Sequence, residues 1–428
     1  MSESESATAP QPLGGDAASR IESLDFIRGI AVMGILVANI IVFGQPHSAG
    51  FYPGAFISDP GTGADAMWAA QLVLVDGKMR GLFTLLFGAG LLLFMDKAWA
   101  RGATRWLQVR RLAWLGLFGA LHYFLLWRGD ILFLYAVAGL VALLVAALSR
   151  HKLLVLGALG YVVGGLLDAG SSIPFAFVAD TDMGDRPIYA QLAADLDASK
   201  AADFADGMLE TALITQGRYG EWVAHNVSEH ASSFAYQLQD FWIETLPLML
   251  LGMALYRYGL FSGGLAAGRQ RLFGWILLAA GTALSVPVAV YTLAGGLTYY
   301  GTLAALTGWL VVPQLLSTLG LAALLGLWGM HANGWLAERI KAAGRAAFSN
   351  YLGTSAVMMI VFHGWAGGLF GQLSRGELYL VAAATCALML LWSKLWLDRF
   401  RYGPLEWLWR CLTYGCRFPL RKSRPASA

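Results

Sequence analysis

The chain has 428 residues, of which 57% are hydrophobic and 13% are charged, and its formal net charge is +3. An average soluble domain carries about 25% charged residues, so this composition excludes a water-soluble globular protein. The three cysteines do not support a disulfide framework, and Cys411 and Cys416 lack the spacing and the histidine partners of a zinc site. We expect no metal and no nucleic-acid partner.

Residues 1–20 are polar and rich in Ala, Ser, Glu and Pro. They lack the basic region with which a secretory signal peptide begins. The composition predicts a disordered cytoplasmic tail. The first apolar segment then serves as an uncleaved membrane anchor.

Apolar runs recur along the rest of the chain, and about 20 apolar residues suffice to cross a bilayer as a helix. They predict an all-α, polytopic bundle of about ten transmembrane helices. The segments are 26–43, 81–95, 112–127, 131–148, 153–167, 241–256, 272–293, 303–329 (interrupted by Pro313), 346–362 and 378–397. The predicted units are a tail (1–20), a membrane half (21–167), an extracytoplasmic loop (168–240), a second membrane half (241–397) and a basic cytoplasmic tail (398–428).

Lys and Arg concentrate after every even-numbered segment, whereas the opposite loops are acidic or nearly neutral. Because cytoplasmic loops carry the positive charge, both termini are predicted to lie in the cytoplasm, in a bacterial cytoplasmic (inner) membrane. Within 168–240, the spacing of apolar residues predicts one or two amphipathic helices. This loop either caps the outer mouth of the bundle or is a passive connector.

His122 is the clearest ionisable residue inside a predicted span, and such residues are functional candidates because they are costly in lipid. It is either a general base or a histidine that hydrogen-bonds to a neighbouring helix. Asp130 follows eight residues later, about 12 Å away on a continuous helix. Asp130 orients the histidine only if the intervening turn folds back, and otherwise caps the fourth span.

Asn39 lies in the outer half of the first span, and His47 follows in the outer loop. The Asn39 amide either bonds across helices or stabilises an acyl oxygen during a reaction. Asp76, Lys78 and Arg80 are charged residues at the outer entrance of the second span. They are candidates for binding an anionic substrate or pairing with Asp130, or they form an ion-pair network without a ligand.

On the inner side, Asp25 and Arg28 are three residues apart and form either a surface ion pair or part of a cofactor site. In the second case Arg28, Arg110, Arg111 and Arg345 contact phosphates of a cytosolic cofactor, for which Arg is well suited. Glu244 and His363 are secondary candidates near the outer ends of their spans. Motifs of P-loop nucleotide hydrolases, serine hydrolases and zinc proteases are absent from the sequence.

Several segments together resemble the YeiB-like bacterial membrane proteins, whose function is largely unknown. They are residues 20–34, 77–90, 110–132, 344–351, 400–407 and 412–415. The opening pattern, Ser-Leu-Asp followed by Arg-Gly, is similar to that of membrane acyltransferases, including the heparan-α-glucosaminide N-acetyltransferase group. Those enzymes take an acyl group from a cytosolic acyl-CoA and modify a sugar on the far side of the membrane.

The resemblance implies an Asn and a His near the outer ends of the early spans as catalytic candidates. Asn39 matches that Asn. His47 lies closer to Asn39 in the chain than the His of the family pattern does, and His122 is the alternative. The sequence thus favours an acyltransferase with acyl-CoA as donor and an envelope glycan or small molecule as acceptor. The alternative is a transporter in which the same polar residues form a path through the bilayer. The oligomeric state stays open.

Overall fold

The computed structural model describes residues 21–422, and the regular secondary structure in this range is helical, with one isolated antiparallel bridge between Phe400 and Arg421. The predicted tail at 1–20 and the end of the basic tail, 423–428, lie outside the described residues. The helices are α1 (Glu22–Gly44), α2 (Ala64–Leu74), α3 (Lys78–Ala100), α4 (Trp106–Leu125), α5 (Leu132–Val145), α6 (Arg150–Asp180), α7 (Ala190–Thr215), α8 (Tyr219–Glu229), α9 (Ala231–Asp240), α10 (Leu246–Arg257), α11 (Ala267–Ala294), α12 (Tyr299–Ala304), α13 (Val311–His331), α14 (Trp335–Arg345), α15 (Ala347–Phe362), α16 (Arg375–Arg399) and α17 (Pro404–Tyr414).

The prediction of an all-α membrane protein is confirmed. Within residues 21–422, six helical stretches are long and apolar enough to cross a membrane: α1, the α2–α3 stretch, α6, α11, α13 and α16. Helices α5 and α15 are apolar but shorter. Helix α4 carries Arg110 and Arg111 near its start, and α10 is short because a wider π-helical turn, Phe241–Thr245, precedes it.

The helices form a centre and an outer ring. In α1, the α2–α3 stretch and α13, half or more of the most apolar segment is buried inside the bundle. In α6, α11 and α16, only 22–28% of that segment is buried. Exposed leucines and valines on α6 include Leu159 and Val163. Since monomeric soluble proteins rarely expose such large apolar faces, this ring is the lipid-facing surface of the bundle.

Helix α6 continues to Asp180, beyond the predicted end of the fifth span at residue 167. At about 1.5 Å per residue its 31 residues span roughly 46 Å, more than the ~30 Å hydrocarbon core of a bilayer. The helix therefore projects from the membrane region towards α7. Helices α7, α8 and α9 occupy the segment that the sequence assigns to the long loop.

Paired glycines bring helix backbones together at two crossings. Where α3 meets α10, a Cβ on Gly88 would lie 2.1 Å from the Met249 carbonyl oxygen, and one on Gly252 would lie 1.9 Å from the Leu85 carbonyl oxygen. A similar pair, Gly29 and Gly344, joins α1 to α14, where a Cβ on Gly344 would lie 1.8 Å from the Asp25 carbonyl oxygen. Small residues permit this close approach in membrane bundles.

Gly252→Val is expected to disrupt the bundle, because its side chain meets backbone that cannot rotate away. The cost should exceed the roughly 1–3 kcal/mol of an ordinary overpacked core. Thermal unfolding and size-exclusion profiles in detergent measure the effect. Gly353→Val is the matched control, since a Cβ on Gly353 has nothing within 4 Å. Wild-type melting of Gly252→Val would contradict this account of the crossing.

Candidate active site

Three buried side chains form a hydrogen-bonded chain between α4, the turn before α5, and α15. The Nδ1 atom of His122 lies 2.7 Å from Oδ2 of Asp130, and its Nε2 atom lies 2.8 Å from Oγ of Ser355. Each of the three residues is at most 4% exposed. The turn after α4 therefore folds back, which is the condition under which Asp130 orients the histidine.

Asp130 holds two bonds at once. Its Oδ1 accepts a hydrogen bond of 2.9 Å from the backbone N–H of Phe133, so the same carboxyl group also caps α5. Because a carboxylate only accepts hydrogen bonds, Nδ1 of His122 is the protonated nitrogen. Its Nε2 atom is then left to accept the hydroxyl hydrogen of Ser355. The imidazole is thus held as a base directed at Ser355.

Tyr351 fixes this turn from α15. Its hydroxyl donates to the Gly129 carbonyl at 3.2 Å and accepts from the Ile131 N–H at 3.2 Å. Its ring lies 5.2 Å from the imidazole of His122, measured between centroids. These contacts hold the Gly129–Asp130 backbone in place, so Tyr351 positions the carboxyl group indirectly.

Asn39 and Ser355 line the same small cavity, the central chamber, which has a volume of about 10 Å³. That is about the space of one water molecule. Thr354 also lines it, and the other walls are apolar or aromatic: Val32, Ile35, Leu36, Phe43, Trp127 and Tyr351. Ser355, which the sequence reasoning missed, thus lines the central chamber together with the predicted Asn39 and bonds to the predicted His122, which in turn bonds to Asp130.

A larger cavity of about 300 Å³, the basic cavity, lies on the other side of Tyr351. Tyr351 lines both this cavity and the central chamber, so one side chain separates them. The inner part of the basic cavity is apolar and includes Phe83, Leu86 and Leu132. Its cationic lining residues are Arg28, Lys97, Arg111, Arg345 and Arg410.

Three of the four predicted phosphate-binding arginines line the basic cavity. The Arg111 guanidinium lies between the rings of Phe94 and Trp409, 4.7 Å and 4.3 Å from their centroids. Arg28 lines the cavity and also forms the predicted pair with Asp25, at 3.1 Å. Arg110 does not line the cavity, and instead donates to the Leu412 carbonyl at 3.4 Å.

Helix α17 forms part of the wall of the basic cavity. Glu406, near its start, accepts hydrogen bonds from the backbone N–H groups of Phe348 and Ser349, at 2.8 Å and 3.1 Å. Burial raises the pKa of Glu406, although these bonds oppose the shift. Trp409 donates to the Arg111 carbonyl at 2.8 Å. The sequence reasoning missed Glu406, Lys97 and Arg410 as cavity residues, although the amphipathic character of α17 was a usable signal.

A third cavity, the histidine-lined cavity of about 30 Å³, lies beyond Phe43 and Trp127. These two rings stack with centroids 4.3 Å apart and line both this cavity and the central chamber. The polar lining residues are Gln45, His47, Arg128, Glu210 and His363. Burial, and after it the charge of Arg128, lowers the pKa of His47. His47 lines the histidine-lined cavity, whereas Asn39 lines the central chamber.

Asp206, His225 and His230 place three possible metal-ligand atoms within 4.8 Å of one another, the one such group among residues 21–422. However, Arg128 already contacts Nε2 of His230 and pairs with Glu210. Burial alone would raise the pKa of Asp206, but hydrogen bonds from the two histidines and the Arg128 charge hold it well below its usual range. The expectation of no metal stays a prediction.

The predicted substrate-binding cluster does not line any of the three cavities described above. The Lys78 ammonium donates to the Leu72 and Asp76 carbonyls, at 3.1 Å and 3.3 Å. The Asp76 carboxylate accepts from Gln71 at 2.9 Å, and Arg80 pairs with Glu244. Asp130 bonds to His122 and to the Phe133 N–H, so the suggested pairing of the cluster with Asp130 is not what the structure has.

His363, just after α15, makes stability depend on pH. Burial lowers its pKa to about 4, against a smaller opposing effect of Glu210, whereas an unfolded histidine has a pKa near ~6.5. The unfolded chain therefore binds the proton more readily, and falling pH between these two values favours unfolding. The contribution to stability corresponds to roughly 3 kcal/mol; it is fully present above about pH 6.5 and fully lost below about pH 4.

His363→Gln is expected to flatten this part of the pH dependence. Melting temperatures in detergent at about pH 7.5 and about pH 4.5 measure it. His331→Gln, at an exposed histidine, is the matched control. An unchanged drop in melting temperature for His363→Gln would show that other groups carry the effect.

The comparisons with known proteins point to one family. Residues 255–416 match the family model described as "Protein of unknown function (DUF418)". The chain is 31% identical to "Uncharacterized protein YeiB" of Escherichia coli (strain K12), over 94% of this chain and 97% of that protein. It is 28% identical to "Uncharacterized protein YxaH" of Bacillus subtilis (strain 168), over 94% and 96%.

A protein from Bacillus acidopullulyticus, described as "Uncharacterized 39.9 kDa protein in amylase 3'region", is 25% identical over 95% of this chain and 97% of its own length. No solved structure matches the chain. The identity to the Escherichia coli protein and its near-complete coverage establish the relationship, and the chain belongs to the YeiB family of bacterial proteins of unknown function.

Proposed function

We propose that the protein is a transmembrane acyltransferase that moves an acyl group from a cytosolic acyl-CoA to an acceptor on the other side of the bacterial cytoplasmic membrane. One observation carries the proposal. The basic cavity, the central chamber and the histidine-lined cavity follow one another, separated by Tyr351 and by the Phe43–Trp127 stack. The hydrogen-bonded Ser355–His122–Asp130 chain lies at the middle position.

In the proposed topology ten helices cross the membrane: α1, α3, α4, α5, α6, α10, α11, α13, α15 and α16. Both termini then lie in the cytoplasm, because the basic loops lie on that side. With this orientation the basic cavity opens to the cytosol, and the histidine-lined cavity faces outward beneath α7 and α8. The two openings suit a donor from one side and an acceptor from the other.

The basic cavity fits the chemistry of a coenzyme A thioester. Guanidinium groups bind phosphate oxygens through charge-assisted, often bidentate hydrogen bonds. Arg28, Arg111 and Arg345 supply such groups at the wall, and the volume of about 300 Å³ lies within the range of small-molecule sites. The apolar inner part suits the pantetheine arm, which would direct the thioester towards Tyr351.

The central chamber supplies the groups that acyl transfer needs. His122 is a base whose orientation is fixed by Asp130, as in general base catalysis. Asn39 provides amide N–H donors beside Ser355, where they would stabilise the charge on the acyl oxygen. The acceptor is a hydroxyl or amine of an envelope glycan or small molecule, which would enter through the histidine-lined cavity.

The alternative is a transporter, favoured by the same alignment of cavities and by the π-helical turn Ala305–Trp309 that interrupts the helical run before α13. Purified protein in lipid nanodiscs distinguishes the two. We expect it to release free thiol from acetyl-CoA in the presence of an envelope extract and to leave acetyl label on an acceptor. Absence of any thioester turnover, together with solute uptake by reconstituted vesicles, would favour the transporter.

A further inference from the structure

The hydroxyl group of Ser355 departs from the usual behaviour of such groups in apolar helices. Ser and Thr in membrane helices commonly donate to the carbonyl one turn earlier. Thr354 does so, with 2.7 Å to the Asn350 carbonyl, and fully buried Ser285 does so, with 2.8 Å to the Gly281 carbonyl. Ser355 contacts Nε2 of His122 instead, at 2.8 Å.

We propose that Ser355 is a nucleophile that carries the acyl group as an ester between the donor and the acceptor, an inference that rests on the proposed acyltransferase function. A hydroxyl becomes a nucleophile when a base lies within hydrogen-bond reach and a third group orients that base. Ser355, His122 and Asp130 meet both conditions, with distances of 2.8 Å and 2.7 Å. The arrangement has the roles of a serine–histidine–aspartate triad.

The shape of the site favours two steps. The central chamber has a volume of about 10 Å³, room for one water molecule, so a thioester or an acceptor reaches Ser355 only when a side chain of the wall moves aside. A donor from the basic cavity reaches Ser355 past Tyr351, whereas an acceptor from the histidine-lined cavity reaches it past Phe43 and Trp127. If the acyl group is stored on Ser355, Tyr351 moves aside for the donor in one step, and Phe43 and Trp127 move aside for the acceptor in another.

In the first step, Oγ of Ser355 attacks the thioester carbonyl carbon while its proton moves to Nε2 of His122. The Asn39 amide donates to the negative oxygen of the tetrahedral intermediate. The carbon–sulfur bond then breaks, and the leaving sulfur takes the proton from His122 to give free coenzyme A. The product on the protein is an ester between the acyl group and Oγ.

In the second step, an acceptor hydroxyl or amine attacks the ester carbonyl and gives its proton to His122. The bond between the carbonyl carbon and Oγ breaks, and Oγ takes the proton back. The sum is one thioester and one acceptor converted to free thiol and acylated acceptor. No oxidant or reductant is needed.

The test uses the full-length protein and acetyl-CoA labelled in the acetyl group, without acceptor. After an acid quench, we expect label on the denatured wild-type protein that neutral hydroxylamine releases slowly, as from an oxygen ester, and acetylation of the peptide that contains Ser355. Ser355→Ala should lose the label and lower acetyl-CoA turnover by about 10³-fold or more. Ser355→Cys should carry the acetyl group as a thioester, which hydroxylamine releases quickly.

Ser285→Ala is the matched control, because this serine is fully buried but makes only the ordinary local bond; it should label as the wild type does. If the wild type turns over acetyl-CoA while Ser355→Ala keeps at least half of that rate, or the label lies on another residue, Ser355 is not the nucleophile although the acyltransferase proposal stands. If the wild type neither binds nor turns over acetyl-CoA with an envelope extract present, both proposals fail. Should Ser355→Ala fail to fold, the change of linkage in Ser355→Cys decides the question.

Discussion

His122→Ala should lower acetyl-CoA turnover by about 10⁴-fold or more, because loss of the histidine of a serine–histidine–aspartate triad lowers kcat by up to about 10⁶-fold. The imidazole contacts both Asp130 and Ser355, so its removal leaves the hydroxyl without a proton acceptor. Size-exclusion and melting profiles should still show folded protein. Thiol release from acetyl-CoA is the measurement, and His331→Ala, at an exposed histidine, is the control.

Asp130→Asn separates the orienting role from the capping role. Asparagine is as good a helix cap as aspartate, so the bond from the Phe133 N–H to residue 130 should survive and α5 should begin as before. The amide can no longer hold His122 in the required tautomer, and activity should fall by up to about 10⁴-fold. Full activity of the His122→Ala protein would remove the imidazole from the reaction, and full activity of the Asp130→Asn protein would show that Asp130 is not needed to orient it.

The second large effect concerns the donor. Arg111→Ala should raise the KM for acetyl-CoA by about 10- to 100-fold and change kcat little, because a charged hydrogen bond contributes about 1.5–3 kcal/mol and each 1.4 kcal/mol is about tenfold. A rise in KM without a change in kcat indicates that the removed side chain binds the donor equally well in the ground state and in the transition state. Arg111 suits this role because Phe94 and Trp409 hold its guanidinium in place.

Arg110→Ala is a control one residue away, since Arg110 bonds to the Leu412 carbonyl and does not line the basic cavity. A second control is the donor itself. Acetyl-pantetheine has the thioester but no phosphates, so Arg111→Ala should not change its kcat/KM. Equal losses with both donors, or equal effects of the two arginine variants, would show that Arg111 supports the fold and does not bind phosphate.

The sequence was informative about the His122–Asp130 pair but could not decide how the two meet. Eight residues on a straight helix would put them about 12 Å apart. A turn through Gly129, held by Tyr351 of another helix, folds the chain back, so that Nδ1 of His122 lies 2.7 Å from Oδ2 of Asp130. Ser355 lies 233 residues from His122 in the chain, and a lone serine in an apolar helix ordinarily has only a local bond. Nothing near it in the sequence indicates its partner.

The arginines illustrate a second limit. Arg110 and Arg111 are adjacent, so their side chains leave α4 about 100° apart and need not line the same cavity. Which one lines the basic cavity depends on how α17, about 300 residues later, packs against α4. The sequence therefore identified a basic surface but not its members. Likewise, the Asp76–Arg80 charges attracted attention as exceptions to the topology trend. In the structure Lys78 bonds to backbone carbonyls, Asp76 bonds to Gln71, and Arg80 pairs with Glu244.

The most direct test of transfer across the membrane uses sealed inside-out vesicles from cells that overproduce the protein, with labelled acetyl-CoA added only to the bath. The cytosolic face is then accessible, and endogenous envelope acceptors lie in the lumen. We expect acetyl label to accumulate in the lumen on a retained acceptor, and to be absent with the His122→Ala protein. Label that stays in the bath, or luminal label that is equal for the two proteins, would contradict the transfer path from the basic cavity through Ser355 to the opposite side.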